Sequence, residues 1–172
     1  MDFNDYIRDI QDFPDLGIVF KDITPLLQDK MALKEAAIAL HRLVGNHRID
    51  KVVGMESRGF FFGPMLATKL TAGFVPVRKS GKLPAAKISQ SYNLEYGTDI
   101  LEIHKDSIKK GENVLIHDDV LATGGTAKAV CQLIERLGGN IIACNFLIEL
   151  EIEIKSFSLR FDPEGKHKPF LN

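Results

Sequence analysis

The sequence predicts a single α/β domain in which helices flank a parallel sheet. Strand-like and helix-like segments alternate along the chain, and glycine-rich turns join strands to the helices that follow them. A length of 172 residues suits one domain, and no repeat or low-complexity segment interrupts the alternation. We therefore treat residues 1–172 as one domain, with ligands expected beyond the carboxyl ends of the strands.

Composition excludes several classes of function. The hydrophobic content of 45% and the charged content of 26% are typical of a globular domain, and the net charge of -1 argues against a nucleic-acid partner bound by bulk charge. Neither a long apolar run nor a basic-then-apolar leader occurs, so we expect no membrane partner and no export. Cys131 and Cys144 are interpreted as reduced core thiols, which favours a cytoplasmic protein.

Apolar spacing predicts the elements of the first half. Residues from Ala32 to Val44 and from Phe60 to Leu70 have the period of helices. Short buried strands are predicted at 52–55 and 74–77, and Pro76 suits the edge or the end of the second one.

The second half is predicted as a loop, three strands and one helix, with a final apolar strand. Residues 79–90 show no apolar period and predict a long loop, while 92–103 alternate and predict two short strands around Gly97. A strand at 114–116, a turn at 117–126 and a helix ending before Gly138 follow. Residues 141–150 form the last predicted strand.

The turn "HDDVLATGGTA", from His117 to Ala127, indicates an anion site. Its glycines, Gly124 and Gly125, allow a ligand to approach the backbone, and Thr123 and Thr126 supply hydroxyl groups. The first N–H groups of the next helix are unpaired and partly positive, which suits a phosphate. Such a turn can also do no more than cap a helix.

Two acids beside this turn narrow the kind of ligand. Asp118 and Asp119 would repel a phosphate unless they hold something else. Carboxylates accept hydrogen bonds from ribose hydroxyls, and Mg²⁺ bridges carboxylate and phosphate oxygens. The pattern therefore predicts a ribose phosphate, the alternative being acids that only serve the helix terminus or face solvent.

A second strand-to-helix turn and a basic run accompany the first. The turn holds Glu56, Ser57, Arg58 and Gly59, and the Arg58 guanidinium can fork onto phosphate oxygens. The alternative is a helix cap with a surface arginine. The basic run holds Arg78, Lys79, Lys82 and Lys87 and contains no acid. It predicts a mobile lid over phosphates, or else a solvated loop.

Five segments together resemble one protein family. "VLIHDDVLATGGTA" resembles the 5-phosphoribosyl pyrophosphate (PRPP) signature of the type I phosphoribosyltransferases. "FPDLGIVFKDITPLL" (13–27), "GMESRGFFFGP" (54–64), "VRKSGKLPA" (77–85) and "SYNLEYGTDILEIHKD" (91–106) match, in order, the branch of that family that acts on adenine. The resemblance covers roughly residues 1–150.

The resemblance implies the type I phosphoribosyltransferase fold with a small N-terminal hood at residues 1–30. It implies a pentosyl transfer from PRPP to adenine that gives AMP and pyrophosphate in purine salvage. It also implies Mg²⁺ as cofactor and a homodimer. Two rival functions stay open: a PRPP-sensing regulator of the same fold that binds nucleic acid, and a transferase for another base such as xanthine. Against the regulator, the chain keeps the whole lid and has no basic extension.

The resemblance also assigns the site residues. It assigns the binding of the 5′-phosphate to Ala122, Thr123, Gly124, Gly125 and Thr126. It assigns the binding of pyrophosphate to Glu56, Ser57, Arg58, Gly59, Arg78, Lys79 and Lys82. Residues 78–97 would form a flexible catalytic lid. The hood residues Val19, Phe20 and Lys21 would line the adenine pocket, where some relatives carry arginine in place of Lys21. The catalytic set is Glu95, Arg58, Asp118 and Asp119, the two aspartates holding the ribose diol and helping to orient the metal.

Two departures from the family pattern matter. Relatives specific for hypoxanthine and guanine carry an acid where this chain has Ala122, which leaves Glu95 as the candidate proton acceptor for the purine. The alternative is that Glu95 only braces the lid against a lysine or Tyr96. The tail, 151–172, departs from the family pattern, and a final strand and a mobile tail are both open readings of it.

Overall fold

The structure is a computed structural model that describes residues 1–93 and 97–150. The described chain falls into two compact units, the first being Met1–Arg42 and the second beginning at Leu43. The tail at 151–172 and the lid residue Glu95 lie outside the described residues. None of the helices described has the length and apolar character needed to span a bilayer.

The first unit is a hairpin followed by helices. Its elements are a 3₁₀ helix at Phe3–Tyr6, strands β1 (Arg8–Gln11) and β2 (Val19–Asp22), and helices α1 (Thr24–Gln28) and α2 (Lys30–Leu43). Cross-strand ion pairs support the hairpin: Arg8 with Asp22 at 2.7 Å and Lys21 with Asp9 at 2.7 Å. The Asp22 carboxylate also accepts a hydrogen bond from the Thr24 amide, which fixes the exit from β2.

The second unit is built on a six-stranded sheet in the order β5-β6-β4-β3-β7-β8. Its strands are β3 (Lys51–Met55), β4 (Gly73–Lys79), β5 (Lys87–Asn93), β6 (Thr98–His104), β7 (Asn113–Leu121) and β8 (Asn140–Glu149), with helices α3 (Gly59–Leu70) and α4 (Gly125–Leu137). The four strands β4, β3, β7 and β8 are parallel to one another. Strand β6 runs antiparallel to β4, and β5 runs antiparallel to β6. The predicted sheet is thus confirmed as mostly parallel, with an antiparallel hairpin at one edge.

The strand order creates a switch point between β3 and β7. The chain leaves β3 through α3 toward β4 on one side, and leaves β7 through α4 toward β8 on the other. Right-handed crossovers in opposite directions place the two helices on opposite faces of the sheet. The crevice beyond the carboxyl ends of β3 and β7 is the place where such sheets bind ligands.

The core explains why these segments form strands and helices. The central strands are apolar on both faces, and Val53, Val114 and Ile116 are fully buried. From α4, Val130 and Ile134 reach the same cluster at helical spacing. This packing places both helix N-termini at one end of the sheet. Cys131 and Cys144 are free thiols in α4 and β8, as predicted.

The predicted loop at 79–90 is wrong at both ends. β4 continues through Lys79, and β5 begins at Lys87. β5 pairs with β6 along its whole length, from Lys87↔His104 to Asn93↔Thr98. Ile88 and Tyr92 pack against the core, but only two apolar residues among polar ones do not show the strand period in the sequence. The backbone ladder with β6, and not hydropathy, stabilises this strand.

The predicted turn at 117–126 is also corrected. β7 continues through Leu121, so both aspartates belong to the strand, and the turn is confined to residues 122–124. Pairing with β8 continues to Leu121↔Glu149, which extends the strand past its apolar residues. The prediction for Pro76 is wrong, because Pro76 is the middle residue of β4, which lies between β6 and β3. The ladder between β4 and β6 holds only Arg78 and Lys79, so it does not reach the proline.

Candidate phosphoribosyl site

The candidate site lies where β3 and β7 end. Glu56, Ser57 and Arg58 lead from β3 into α3, and the peptide bond between Glu56 and Ser57 is cis. Residues 122–124 lead from β7 into α4. The two helices therefore begin at the same edge of the sheet, and each N-terminus carries a partial positive charge. In α3 the Phe60 and Phe61 amides already donate to the Ser57 and Arg58 carbonyls, whereas in α4 the first amide bonded to the turn is that of Lys128. Two anion-binding positions at one edge suit a ligand with two separated phosphate groups.

The turn before α4 has the backbone geometry of an anion cradle. Gly124 adopts a left-handed φ of 78°, which favours glycine, and α4 starts at Gly125. Gly124 brings no side chain to cap the helix, so the first N–H groups stay available to a ligand. Thr123 beside it is exposed. The turn from Ala122 to Thr126 thus has the features that the sequence predicts for phosphate binding.

The acids at the end of β7 are buried and connected to the second cradle. Asp119 is only 2% exposed, and its Oδ2 forms an ion pair with Arg58 Nε at 2.9 Å. Asp118 Oδ1 accepts a hydrogen bond from the Asp119 amide at 2.9 Å. These contacts exclude the reading of Asp119 as a solvated turn acid and of Arg58 as a mere surface arginine.

Burial disfavours the ionised form of the Asp118 and Asp119 carboxyl groups. Loss of water raises the pKa of Asp118 from 3.8 to about 7, and the neighbouring charge of Asp119 adds to this effect. Burial also raises the pKa of Asp119, against the opposing positive charge of Arg58. A cation or a set of hydroxyl donors at this position would favour the charged form of both groups.

This shift predicts a pH dependence of stability. A carboxyl group whose pKa rises on folding contributes stability that is complete below its unfolded pKa and is lost as the pH rises through the folded pKa. For Asp118 the window runs from 3.8 to about 7. In metal-free buffer, the unfolding free energy of the wild type should fall relative to Asp118→Asn across this window. Urea unfolding of both proteins at several pH values measures it, and a constant difference would contradict the raised pKa.

Gly59 fixes the distance between α3 and β7. A Cβ atom at this position would lie 2.8 Å from the His117 carbonyl oxygen and 3.2 Å from Asp118 Oδ1. Such a contact with backbone cannot be relieved by moving a flexible side chain. The structure therefore gives Gly59 a packing role that the sequence assignment to pyrophosphate binding did not include.

The basic residues of the run are paired with acids, although Lys79 and Lys82 stay exposed to solvent. Glu56 accepts hydrogen bonds from Arg78 Nε at 3.1 Å and from the Lys79 amide at 2.8 Å, and it forms an ion pair with Lys82. Burial raises the pKa of Glu56, but these hydrogen bonds outweigh it and bring the pKa from 4.5 to about 2. Lys79 Nζ in addition contacts Asp99 at 3.1 Å.

Sequence reasoning missed several polar residues in and beside the β5–β6 hairpin. Glu102 is 4% exposed and accepts hydrogen bonds from Lys87, Ser80 and the Gly81 amide. Tyr92 contacts Asp99 at 3.4 Å and Thr126 of the phosphate turn. Only the register of β5 against β6 brings these groups together, so no spacing along the chain could have indicated them.

His117 forms a buried hydrogen bond between two strands. It is fully buried, and its Nδ1 lies 2.8 Å from Asn145 Oδ1 on β8. Burial lowers the pKa of the ring, so it stays neutral and donates Nδ1–H to the amide oxygen. This pair ties β7 to β8 directly beside Asp118.

The predicted adenine residues lie on β2 of the first unit. Val19 is 39% exposed, and Phe20 packs edge to face on Phe13 with ring centroids 5.1 Å apart. Lys21 Nζ contacts both carboxylate oxygens of Asp9 at 2.7 Å. Their role toward adenine stays a prediction.

Among the described residues, no group of three or more His, Cys, Asp or Glu side chains could hold a metal ion. Mg²⁺ does not need such a cage, since it is commonly bound through one or two carboxylates together with substrate phosphates. The donor set of Asp118 and Asp119 beside two phosphate cradles fits that mode.

The fold and the site together define a phosphoribosyltransferase: a mostly parallel α/β sheet, two helix N-termini at its switch point, and paired acids beside them. Residues 21–155 match the model of the phosphoribosyl transferase domain family. The chain is 65% identical over 150 residues to the adenine phosphoribosyltransferase of Flavobacterium johnsoniae, which covers 87% of this chain and 88% of that protein.

Two solved structures are similar in fold as well as in sequence. The adenine phosphoribosyltransferase of Rhodothermus marinus is 56% identical with a TM-score of 0.83, over 86% of this chain and 84% of that chain. The Saccharomyces cerevisiae enzyme, in complex with adenine and an imino-altritol bisphosphate, is 41% identical with a TM-score of 0.82, over 87% of each chain. This chain belongs to the adenine phosphoribosyltransferase family.

Proposed function

We propose a role for each part of the site in the reaction of this chain, the transfer of the phosphoribosyl group of PRPP to adenine, which gives AMP and pyrophosphate. The observation that carries the proposal is the pair of helix N-termini at the switch point, with Asp118 and Asp119 beside them. One ligand with a phosphate at each end and a ribose between them satisfies all three features.

The turn from Ala122 to Thr126 holds the 5′-phosphate. Backbone N–H groups at the start of α4 and the hydroxyls of Thr123 and Thr126 donate to its oxygens. Asp118 and Asp119 accept hydrogen bonds from the ribose hydroxyls, which fixes the sugar ring and places its anomeric carbon.

The pyrophosphate lies at the start of α3 and at the basic residues of the lid. Arg58 donates to it from the turn of Glu56, Ser57 and Gly59, and Arg78, Lys79 and Lys82 supply the remaining positive charge. The carboxylates of Asp118 and Asp119 would hold Mg²⁺ together with the substrate phosphates. When bound, the metal supplies charge neutralisation for the leaving pyrophosphate.

The hood strand β2 recognises adenine. An extended backbone at Val19, Phe20 and Lys21 offers a carbonyl acceptor for the amino group and an N–H donor for a ring nitrogen. The substrate-bound yeast relative supports adenine as the base. Displacement then occurs at an anomeric carbon with oxocarbenium character, and preorganised donors stabilise the departing pyrophosphate.

Steady-state release of pyrophosphate, with formation of the matching nucleoside monophosphate, is measured for a panel of bases to test this assignment. We expect turnover with adenine, PRPP and Mg²⁺, and little or none with hypoxanthine, guanine or xanthine. Preference for xanthine would contradict the base assignment. Binding of PRPP with no turnover of any base would instead favour a regulator.

Glu95 is the candidate proton acceptor for the purine, and it lies outside the described residues. As a general base it should make Glu95→Gln lower kcat by about 10²-fold, with AMP affinity nearly unchanged. As a brace of the lid it should instead raise KM for PRPP and spare kcat. Steady-state kinetics of the two proteins at saturating substrate separates the two roles.

We also propose a homodimer in the cytoplasm. Large apolar side chains lie exposed on each unit: Leu16 is 90% exposed in the first and Phe61 44% in the second. The free thiols of Cys131 and Cys144 fit a reducing compartment. Light scattering at micromolar concentration should give twice the 19.2 kDa chain mass. A monomer mass under those conditions would contradict the dimer.

A further inference from the structure

We infer that Glu56 is a positioning residue that holds Arg78 and Lys82 ready for pyrophosphate and does not bind pyrophosphate itself. The inference rests on the proposed function of the site and revises one part of it. Glu56 stands in the turn that follows β3, and its partners stand at the end of β4 and in the segment after it. It therefore joins the first pyrophosphate-binding element to the second.

The contacts of Glu56 are those of an anchor. Its side chain is 9% exposed, and it accepts from Arg78 Nε at 3.1 Å and from the Lys79 amide at 2.8 Å. Its other oxygen pairs with Lys82 Nζ. Three donors from one short stretch converge on a single carboxylate, so one side chain sets the positions of both basic groups.

A carboxylate in this place is a poor ligand for pyrophosphate, because two anions repel each other. Glu56 contacts only part of each cation, so the rest of the cation can still contact pyrophosphate. The Arg78 bond uses Nε and leaves the two terminal nitrogens of the guanidinium outside it. Lys82 has three ammonium donors, and the ion pair with Glu56 engages one side of the group. Each cation can thus be held by Glu56 and still donate to a phosphate.

Holding the cations in advance has an energetic benefit. Long basic side chains lose rotamer freedom when they bind a ligand, and this loss weakens binding. Glu56 fixes two of them before pyrophosphate arrives. Arg78 also lies over the Phe60 ring, with its central carbon 5.9 Å from the ring centroid, which restricts it further.

The opposite role would be competition, in which Glu56 occupies the cations and must release them before pyrophosphate binds. The two roles differ in the sign of one measurement. Removing an anchor weakens pyrophosphate binding, whereas removing a competitor strengthens it.

The test is Glu56→Gln, assayed in the reverse direction with AMP, pyrophosphate and Mg²⁺. We expect KM for pyrophosphate to rise about 10-fold, the effect of losing one charge-assisted contact network, with KM for AMP within about twofold of the wild type. Glu102→Gln is the matched control, since it removes a second buried carboxylate near the same basic run. The Glu102 side chain contacts Lys87, Ser80 and the Gly81 amide, and only its backbone pairs with Arg78. Glu102→Gln should change KM for pyrophosphate less.

A double-mutant cycle excludes a merely structural effect. Lys82→Gln alone should raise KM for pyrophosphate, and this effect should shrink in the Glu56→Gln background, because an unanchored lysine contributes less. Where Glu56→Gln does not fold, Glu56→Asp keeps the charge, shortens the reach and should give the same direction. An unchanged or lower KM for pyrophosphate in the folded variant overturns the inference.

Direct binding keeps this test separate from the proposed function. Calorimetric titration of inorganic pyrophosphate with Mg²⁺ into the wild type and into Glu56→Gln needs no turnover. If the wild type makes no AMP, the proposed function fails. Weaker pyrophosphate binding to the variant then still supports the anchoring role, and equal or tighter binding rejects it.

Discussion

Replacing both Asp118 and Asp119 by Asn should lower PRPP turnover at least about 10³-fold, since losing one preorganised group in an active site already costs about 10²–10³. The change keeps the size of both side chains and removes their charge. Ribose hydroxyls then lose strong acceptors, and Mg²⁺ loses its protein carboxylates. Binding of adenine, assigned to the hood, should change much less. Steady-state kinetics at varied Mg²⁺ and an adenine titration measure the two effects.

The matched control for this double variant is Asp50→Asn. Asp50 accepts a hydrogen bond from the Asn113 amide at 2.9 Å, at the opposite end of β7. Its loss weakens the same strand without touching the site, so turnover should stay within a few-fold of the wild type. Equal losses in Asp50→Asn and in the double variant would show that the acids act only through folding.

Gly125→Val should weaken AMP binding about 10³-fold, because displacing the phosphate breaks two or more charge-assisted hydrogen bonds worth about 1.5–3 kcal/mol each. Gly125 is the first residue of α4, where a side chain would stand in the path of the 5′-phosphate. Val remains compatible with a helical first turn, so far-UV circular dichroism should stay native. Calorimetric titration with AMP is the measurement.

Gly125→Ala grades the effect. A single methyl group intrudes less than an isopropyl group, and Ala favours the helix over Gly. We expect AMP affinity between those of the wild type and Gly125→Val, with a slightly higher thermal midpoint. Wild-type affinity in Gly125→Val would remove the phosphate from this turn.

The sequence predicted most of the fold because the central elements are apolar and periodic. Helices α3 and α4 and strands β3 and β8 appear where hydropathy places them. The errors fall at β5 and at the end of β7, where polar residues form strands. There the neighbouring strand supplies the stabilising hydrogen bonds, and pairing between distant segments leaves no local pattern to read.

The residues of the candidate site were likewise predictable only in part. Residue types near a glycine-rich turn indicated Asp118, Asp119 and the turn beside them. The partners of the basic residues were hidden, since Glu56 lies 22 positions before Arg78 in the chain. Sequence reasoning placed Glu56 in a strand-to-helix turn and, through the resemblance, assigned it to pyrophosphate, but it could not show the cations that Glu56 contacts.

The contact between Gly59 and β7 has a consequence for selectivity among phosphorylated sugars. Since the start of α3 rests directly on the His117 carbonyl, the interval between the two proposed phosphate positions is set by main chain and not by side chains. The site should then select ligands by the distance between their two phosphate groups. A sugar whose phosphates are spaced differently would be rejected by main-chain geometry that surface substitutions cannot easily retune.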